Sequence, residues 1–194
     1  MRFCHIAAIA LVAGLAACTT PPKSTEPVHQ TPVGKPGLPG GVVRTDGKQD
    51  IQVAWPGKAH CRTTSEAELS RALAATNAAR KSKGLAPMVA NAKAQQAAEK
   101  HACDMASRGV MTHVGKTTKG PSARLKEEGY KPQLAAENIA AGAFSFDRTM
   151  REWTASPLHL DNIVIPGVKD FGVGYAVSAD GRSTFFAAVY AQPR

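Results

Sequence analysis

Met111-Thr112-His113-Val114-Gly115, Ala136-Glu137-Asn138-Ile139-Ala140-Ala141-Gly142 and Arg151-Glu152-Trp153-Thr154-Ala155-Ser156-Pro157-Leu158-His159-Leu160-Asp161-Asn162 follow one another in that order. Together they hold the densest set of acid/base and metal-capable side chains in the chain. Each joins a His or a Glu to residues that favour a turn or a helix start. These side chains meet only in a fold that brings three separate segments together.

Upstream, the pattern is helical. Ser65 and Glu68 have capping-box spacing, and Leu69, Leu73, Thr76 and Arg80 recur on one helical face before Gly84. A second helix is predicted over 91–108, capped by Asn91 and stopped by Gly109. Its stripe is Ala94, Ala97, Ala98, His101, Ala102 and Met105, small enough for close packing. His101 in that stripe reads as a buried histidine satisfied by a hydrogen bond. Pro121 opens a short third helix that Gly129 closes. Residues 134–141 read as a strand, residues 146–155 as an amphipathic helix, and Ser156-Pro157 as the cap and first position of another. Phe171, Val173, Tyr175 and Val177 line one face of a strand. Asp180-Gly181 signals a two-residue hairpin turn, and Phe185, Ala187, Val189 and Ala191 line the returning strand. Helices first and an antiparallel hairpin last give an α+β class.

The order His113, then Glu137-Asn138-Ile139-Ala140-Ala141-Gly142, then Trp153-Thr154-Ala155-Ser156-Pro157-Leu158-His159, resembles the bacterial branch of the CAP superfamily. That superfamily holds the cysteine-rich secretory proteins, antigen 5 and the plant pathogenesis-related proteins. Asn77, Arg80, residues 84–88 and residues 101–106 agree with it, and the likeness runs from Ser65 to the C-terminus. The resemblance implies a three-layer α-β-α sandwich with a small antiparallel sheet between helices. It also implies a cleft with two His and two Glu that holds a divalent metal in some members. His113, Glu137 and His159 match three of these positions. Glu152, one residue before Trp153, is the candidate for the fourth, because Thr154-Ala155-Ser156 stands where many members have the second Glu.

The residues themselves leave their roles open. His113, on a loop, is a ligand, a proton relay or an exposed histidine without a role. His159 is a ligand favoured in its neutral form by a helix N-terminus, or a packing residue. Glu137 lies in a run of small and apolar residues, where a carboxylate is costly unless paired. It is a functional carboxylate, or a structural one bonding backbone amides or Arg80. Three functions follow: a binding module, a hydrolase in which His113 and His159 hold Zn²⁺ and Glu137 is the general base, or a structural protein docking on peptidoglycan. A lipid or sterol-like ligand is what the family suggests for the first.

The N-terminus reads as an export leader over residues 1–17. Arg2 precedes an apolar run from Ile6 to Ala17, too short to span a membrane. Leu15-Ala16-Ala17-Cys18 looks like a lipobox, which makes Cys18 the acylated N-terminus of a lipoprotein. Thr19, where inner-membrane lipoproteins often have Asp, favours the outer membrane. Residues 18–60 form the anchor and a linker. Between Thr19 and Lys58 it holds seven prolines and six glycines, a composition that extends rather than packs. Ile51, Val53 and Trp55 alternate there and read as an edge strand or as the linker's end. The CAP-like domain takes residues 61–194. With Cys4 in the leader and Cys18 lipidated, Cys61 and Cys103 remain for one disulfide in an oxidising compartment. The formal net charge is +9, which suits anionic envelope surfaces. The basic residues are scattered and few aromatics interleave with them, so nucleic acid is not an expected partner.

Overall fold

A computed structural model describes residues 50–194 and the backbone of one earlier strand, Val42–Arg44. The leader, Cys18 and most of the linker lie outside the described residues.

The elements run β1 (Val42–Arg44), β2 (Ile51–Gln52), β3 (His60–Cys61), α1 (Glu66–Lys81), β4 (Val89–Ala90), α2 (Ala92–Arg108), β5 (Val110–Met111), α3 (Pro121–Glu127), β6 (Pro132–Gly142), α4 (Phe146–Ala155), α5 (Pro157–Ile163), β7 (Asp170–Val177) and β8 (Thr184–Pro193). The main sheet has the order β1-β6-β8-β7-β3, with β4 paired to the start of β7. Its centre, β6-β8-β7, is antiparallel, while β1 and β4 add parallel pairs. This is an α-β-α sandwich. One layer is α2 and α3; the other is α1, α4 and α5.

The expected caps form. The Glu68 N–H donates to Ser65 Oγ (3.3 Å) while Glu68 Oε2 accepts from the Ser65 N–H (2.9 Å). Asn91 Oδ1 accepts from the amides of Lys93 and Ala94, and Gly109 ends α2 in the left-handed region at φ 69°.

The alanine stripe of α2 is explained by β7. Gly172 and Gly174 point at this helix, and a Cβ on either would come within 2.3 to 2.4 Å of α2 backbone atoms. Glycine on the strand and alanine on the helix let the two backbones nearly touch. The other face of the same strand carries Phe171, Val173 and Tyr175, packed with Trp153, Phe186 and Tyr190 against α1, α4 and α5. The register pairs Phe171 with Tyr190 and Val173 with Ala188. The stripe Phe185, Ala187, Val189, Ala191 therefore faces α2, opposite to the stripe Phe171, Val173, Tyr175.

Cys61 and Cys103 form the expected disulfide, with Cα atoms 5.1 Å apart. It joins β3 to α2 and closes a separation of 42 residues, worth about 4 kcal/mol in the chain-entropy model.

Two local expectations are corrected and a third is met in part. The hairpin turn is longer than two residues: ladder pairing ends at Val177 and Thr184. Asp180 Oδ1 there accepts from Ser178 Oγ (2.6 Å) and the Arg182 N–H (3.1 Å), which organises a wider loop. The Ser156 side chain makes no capping hydrogen bond, and Pro157 alone starts α5. Of the alternating trio near residue 50, Ile51 enters a strand with β5, Val53 is half-buried, and Trp55 stays 87% exposed.

Candidate functional site

The site is built on β6, whose two faces carry different chemistry. Beyond Ala136 this strand has left the register of β1, so its outer edge is covered by α5 instead. Asn162 of α5 donates to the Glu137 carbonyl (3.1 Å) and to Asn138 Oδ1 (2.9 Å). Strand alternation then sends Glu137 toward α2 and α3, and Asn138 toward α5.

Glu137 is fully buried. His113 Nδ1–H donates to its Oε1 at 2.8 Å, and the Arg124 guanidinium donates to its Oε2. Arg124 also bonds the His113 carbonyl (3.2 Å) and Thr118 Oγ1 (3.1 Å). One cation thus ties α3, the loop after β5 and β6 together. His101 of α2 completes the group: its Nε2 donates to the Thr112 carbonyl at 2.9 Å and lies 3.7 Å from Glu137 Oε1. Burial alone would raise the Glu137 carboxyl. The Arg124 charge, followed by the neighbouring His101 ring and the hydrogen bond from His113, outweighs burial and brings it down to about 2. Burial pushes the His101 ring down to about 4, so it is neutral at pH 7.

His113 is held by its loop. Arg108, paired with Asp104 at 2.7 Å, donates to the Val114 carbonyl (2.8 Å), and the Gly115 N–H donates to the Thr118 carbonyl (2.8 Å). The loop folds back on α2 and turns His113 inward, where it is 9% exposed.

On the other face, Asn138 Nδ2 donates to the His159 carbonyl (3.0 Å) and to Tyr190 Oη (3.1 Å). It is a buried bridge in mid-strand rather than a turn residue. His159 lies on the first turn of α5, 5% exposed, with its ring 6.3 Å from that of Trp153. His113 and Glu137 are in direct contact, and the His159 backbone carbonyl is tied to the next residue of β6 through Asn138. All three are buried rather than set in an open cleft.

Glu152 is elsewhere. Its side chain is 63% exposed and faces Arg148 at 3.7 Å. The next residue, Trp153, takes the buried face of α4, and one helical step turns Glu152 to solvent. Arg80 is not the partner of Glu137 either: it lies in the opposite layer and donates to the carbonyls of Ala86, Ile163, Ile165 and Val168.

Two members of the cluster, Arg124 and His101, were not expected as site residues. The signal for a cation was the carboxylate itself in an apolar run. Which cation answers it depends on the layer that Glu137 faces.

Among the described residues, no group of three or more His, Cys, Asp or Glu side chains is placed to hold a metal ion. The Glu137 charge is already balanced by Arg124. The described residues therefore do not fit a Zn²⁺ centre.

Residues 73–190, more than half of the chain, match the family model described as the cysteine-rich secretory protein family, CAP. The chain belongs to this family. An outer surface protein of Borrelia burgdorferi superposes with a TM-score of 0.59 at 16% identity, covering 66% of this chain and 95% of that one. An extracellular SCP-domain protein of Bacillus anthracis gives a TM-score of 0.57 at 23% identity. That match covers 65% of this chain and spans 40% of the Bacillus protein's length. At these identities the likeness is one of fold. No curated protein matches the chain.

Proposed function

We propose that the protein is a CAP-domain binding module of the bacterial cell envelope, anchored through a lipid on Cys18, and that it binds rather than hydrolyses its ligand. The observation that carries the second half is the state of Glu137. It is fully buried, paired with Arg124 and lowered to about 2. A general base works best with a pKa near the operating pH, and a carboxylate this acidic is a weak proton acceptor at neutral pH. Glu137 is a fixed anion that positions His113 and the loop around it.

The location rests on the lipobox pattern at Leu15-Ala16-Ala17-Cys18. Two structural relatives described as an outer surface protein and an extracellular protein support it. Among the described residues no helix is long and apolar enough to cross a membrane, so the lipid carries the attachment in this reading. Thr19 after Cys18 favours the outer membrane. The net charge of +9 suits an anionic envelope ligand, a lipid or a peptidoglycan fragment.

The test has two arms. Intact mass of membrane-extracted protein should show an acylated N-terminal Cys18, and Cys18→Ala should release the protein from membranes. Binding to envelope lipids and muropeptides, with chelator and with added Zn²⁺, should be the same in both conditions and show no turnover. Turnover by the wild-type chain that Glu137→Gln abolishes would overturn the binding reading in favour of a hydrolase.

A further inference from the structure

Residues 50–61 cross the C-terminal end of α2 as a strap. Ile51 and Gln52 pair with Met111 and Val110 in a two-stranded sheet separate from the main one. The amides of Val53 and Ala54 both donate to the Gly109 carbonyl (2.8 and 3.0 Å), and that of Gly57 to the Ser107 carbonyl (2.9 Å). His60 and Cys61 pair with the outer edge of β7. Little apolar surface is buried beneath: Val53, Ala54 and Ala59 are half-buried, while Ile51 and Trp55 are exposed. A segment with few buried contacts and exposed backbone hydrogen bonds is among the first to open. The strong fastening here is covalent, the Cys61–Cys103 disulfide. Cys61 is exposed and Cys103 half-buried, so the bond lies at the surface. The next fixed point is Thr64, which is buried. Its N–H donates to Glu99 Oε1 (2.8 Å) and its Oγ1 to the Val173 carbonyl (2.9 Å). Opening the disulfide therefore frees the strap as far as Thr64, where the body of the domain begins.

The strap supports the entry to the site. Among the described residues, β2 is the only strand paired with β5, and β5 runs directly into Thr112 and His113. The Thr112 carbonyl accepts from His101 Nε2 (2.9 Å), and His113 Nδ1–H donates to Glu137 (2.8 Å). Arg108 and Arg124 hold the loop from the far side, at the Val114 and His113 carbonyls. The near side is held by β2.

We infer that the Cys61–Cys103 disulfide is a redox latch: closed, it keeps the strap on β5 and His113 set against Glu137; opened by a protein dithiol of the Cys-x-x-Cys class, it loosens both. A thiolate of that dithiol attacks Cys61 Sγ, and Cys103 Sγ leaves and takes a proton. The second thiol of the dithiol then attacks the reductant's own sulfur in the mixed disulfide, and Cys61 leaves as a thiol. Two electrons and two protons pass to this chain, and the dithiol becomes a disulfide. As a control on ligand binding the latch rests on the binding reading above. Its test reads the His113 contact itself, so the two fail separately.

The folded, oxidised full chain is treated with dithiothreitol or reduced thioredoxin, without denaturant. Free thiols are counted by mass after alkylation, amide exchange is followed by mass spectrometry, and the His113 ring by NMR. Both cysteines should become reduced in the folded chain. Amides of residues 50–61 and 110–114 should then exchange about tenfold faster or more, the His113 ring signal should move, and β8 amides should change less. Cys61→Ser/Cys103→Ser should behave as the reduced wild type. Ile51→Pro/Gln52→Pro removes the β2–β5 pairing with the disulfide intact, and should speed exchange at 110–114 while both cysteines stay oxidised. The inference is overturned if the disulfide resists both reductants until the chain unfolds, or if reduction leaves 110–114 and His113 unchanged. It is equally overturned if β8 speeds up as much as 110–114, which would make the bond a general staple, or if the proline variant leaves 110–114 protected.

Discussion

Glu137 and Asn138 are consecutive on β6 and equally buried, yet they organise two different polar groups on opposite faces of the sheet. Glu137 gathers the Arg124 guanidinium and the imidazole rings of His113 and His101. Asn138 gathers neutral groups: the Asn162 amide, the Tyr190 hydroxyl and the His159 carbonyl. Both tie a helix layer to the strand. The ionic group depends on the Arg124 charge and on pH. The amide group depends only on geometry. The polar groups on the two faces of β6 are therefore held by two mechanisms with different weaknesses.

The largest expected effect comes from removing the cation. Arg124→Met leaves Glu137 buried and unbalanced, and denaturant unfolding should show a loss of about 3–5 kcal/mol. The double variant Arg124→Met/Glu137→Met should recover much of it, since an apolar pair of similar volume often replaces a buried ion pair without loss. If the double variant is no better than the single one, the ionic group is not a compensated charge but an irreplaceable scaffold.

Next is pH. The Glu137 pKa of about 2 lies below its ordinary 4.5, so its contribution is complete above 4.5 and is lost as pH falls toward 2. His101 lies at about 4 against 6.5. The unfolded chain takes that proton first, so stability already declines as pH falls from 6.5 to 4. The His101 part alone is on the order of 3 kcal/mol. Melting temperature should drop with acid in two overlapping stages, and His101→Phe should flatten the upper one.

Asn138→Ala should cost about 1–3 kcal/mol through unmet buried partners. Its cost should be the same at pH 7 and pH 5, because amides, a carbonyl and a phenol do not titrate there; Tyr190 is raised further by burial. A cost that changes with pH would merge the two groups into one network. The smallest effect sets the baseline: Glu152→Ala, on exposed surface, should stay within about 0.5 kcal/mol by the same measurement.

Much of this architecture was legible residue by residue. The capping box at Ser65, the Asn91 cap, the Gly109 stop and the alanine stripe are local rules, and they gave α1 and α2 nearly to their ends. The short strands β3, β4 and β5 were not legible. Two residues carry no period, and each exists only because β7 or β2 offers it an edge. Glu137 was marked by its own cost in an apolar run, and His113 and His159 by their flanking motifs. Arg124 carried no such mark, because arginine near the start of a short helix is ordinary.

Local pattern was enough for the helices, the two strands of the hairpin, the family, the disulfide partners and the need of Glu137 for a counter-charge. These follow from spacing, composition and the desolvation cost of a carboxylate. Which cation answers it was settled by packing between layers. Arg80 and Arg124 are both buried, and the choice between them rests on the pleat of β6, which turns Glu137 to the α2–α3 layer. The same geometry put Glu152 in solvent and drew His101 into the cluster. A contact across layers depends on which way each strand and helix faces, and no local pattern records that.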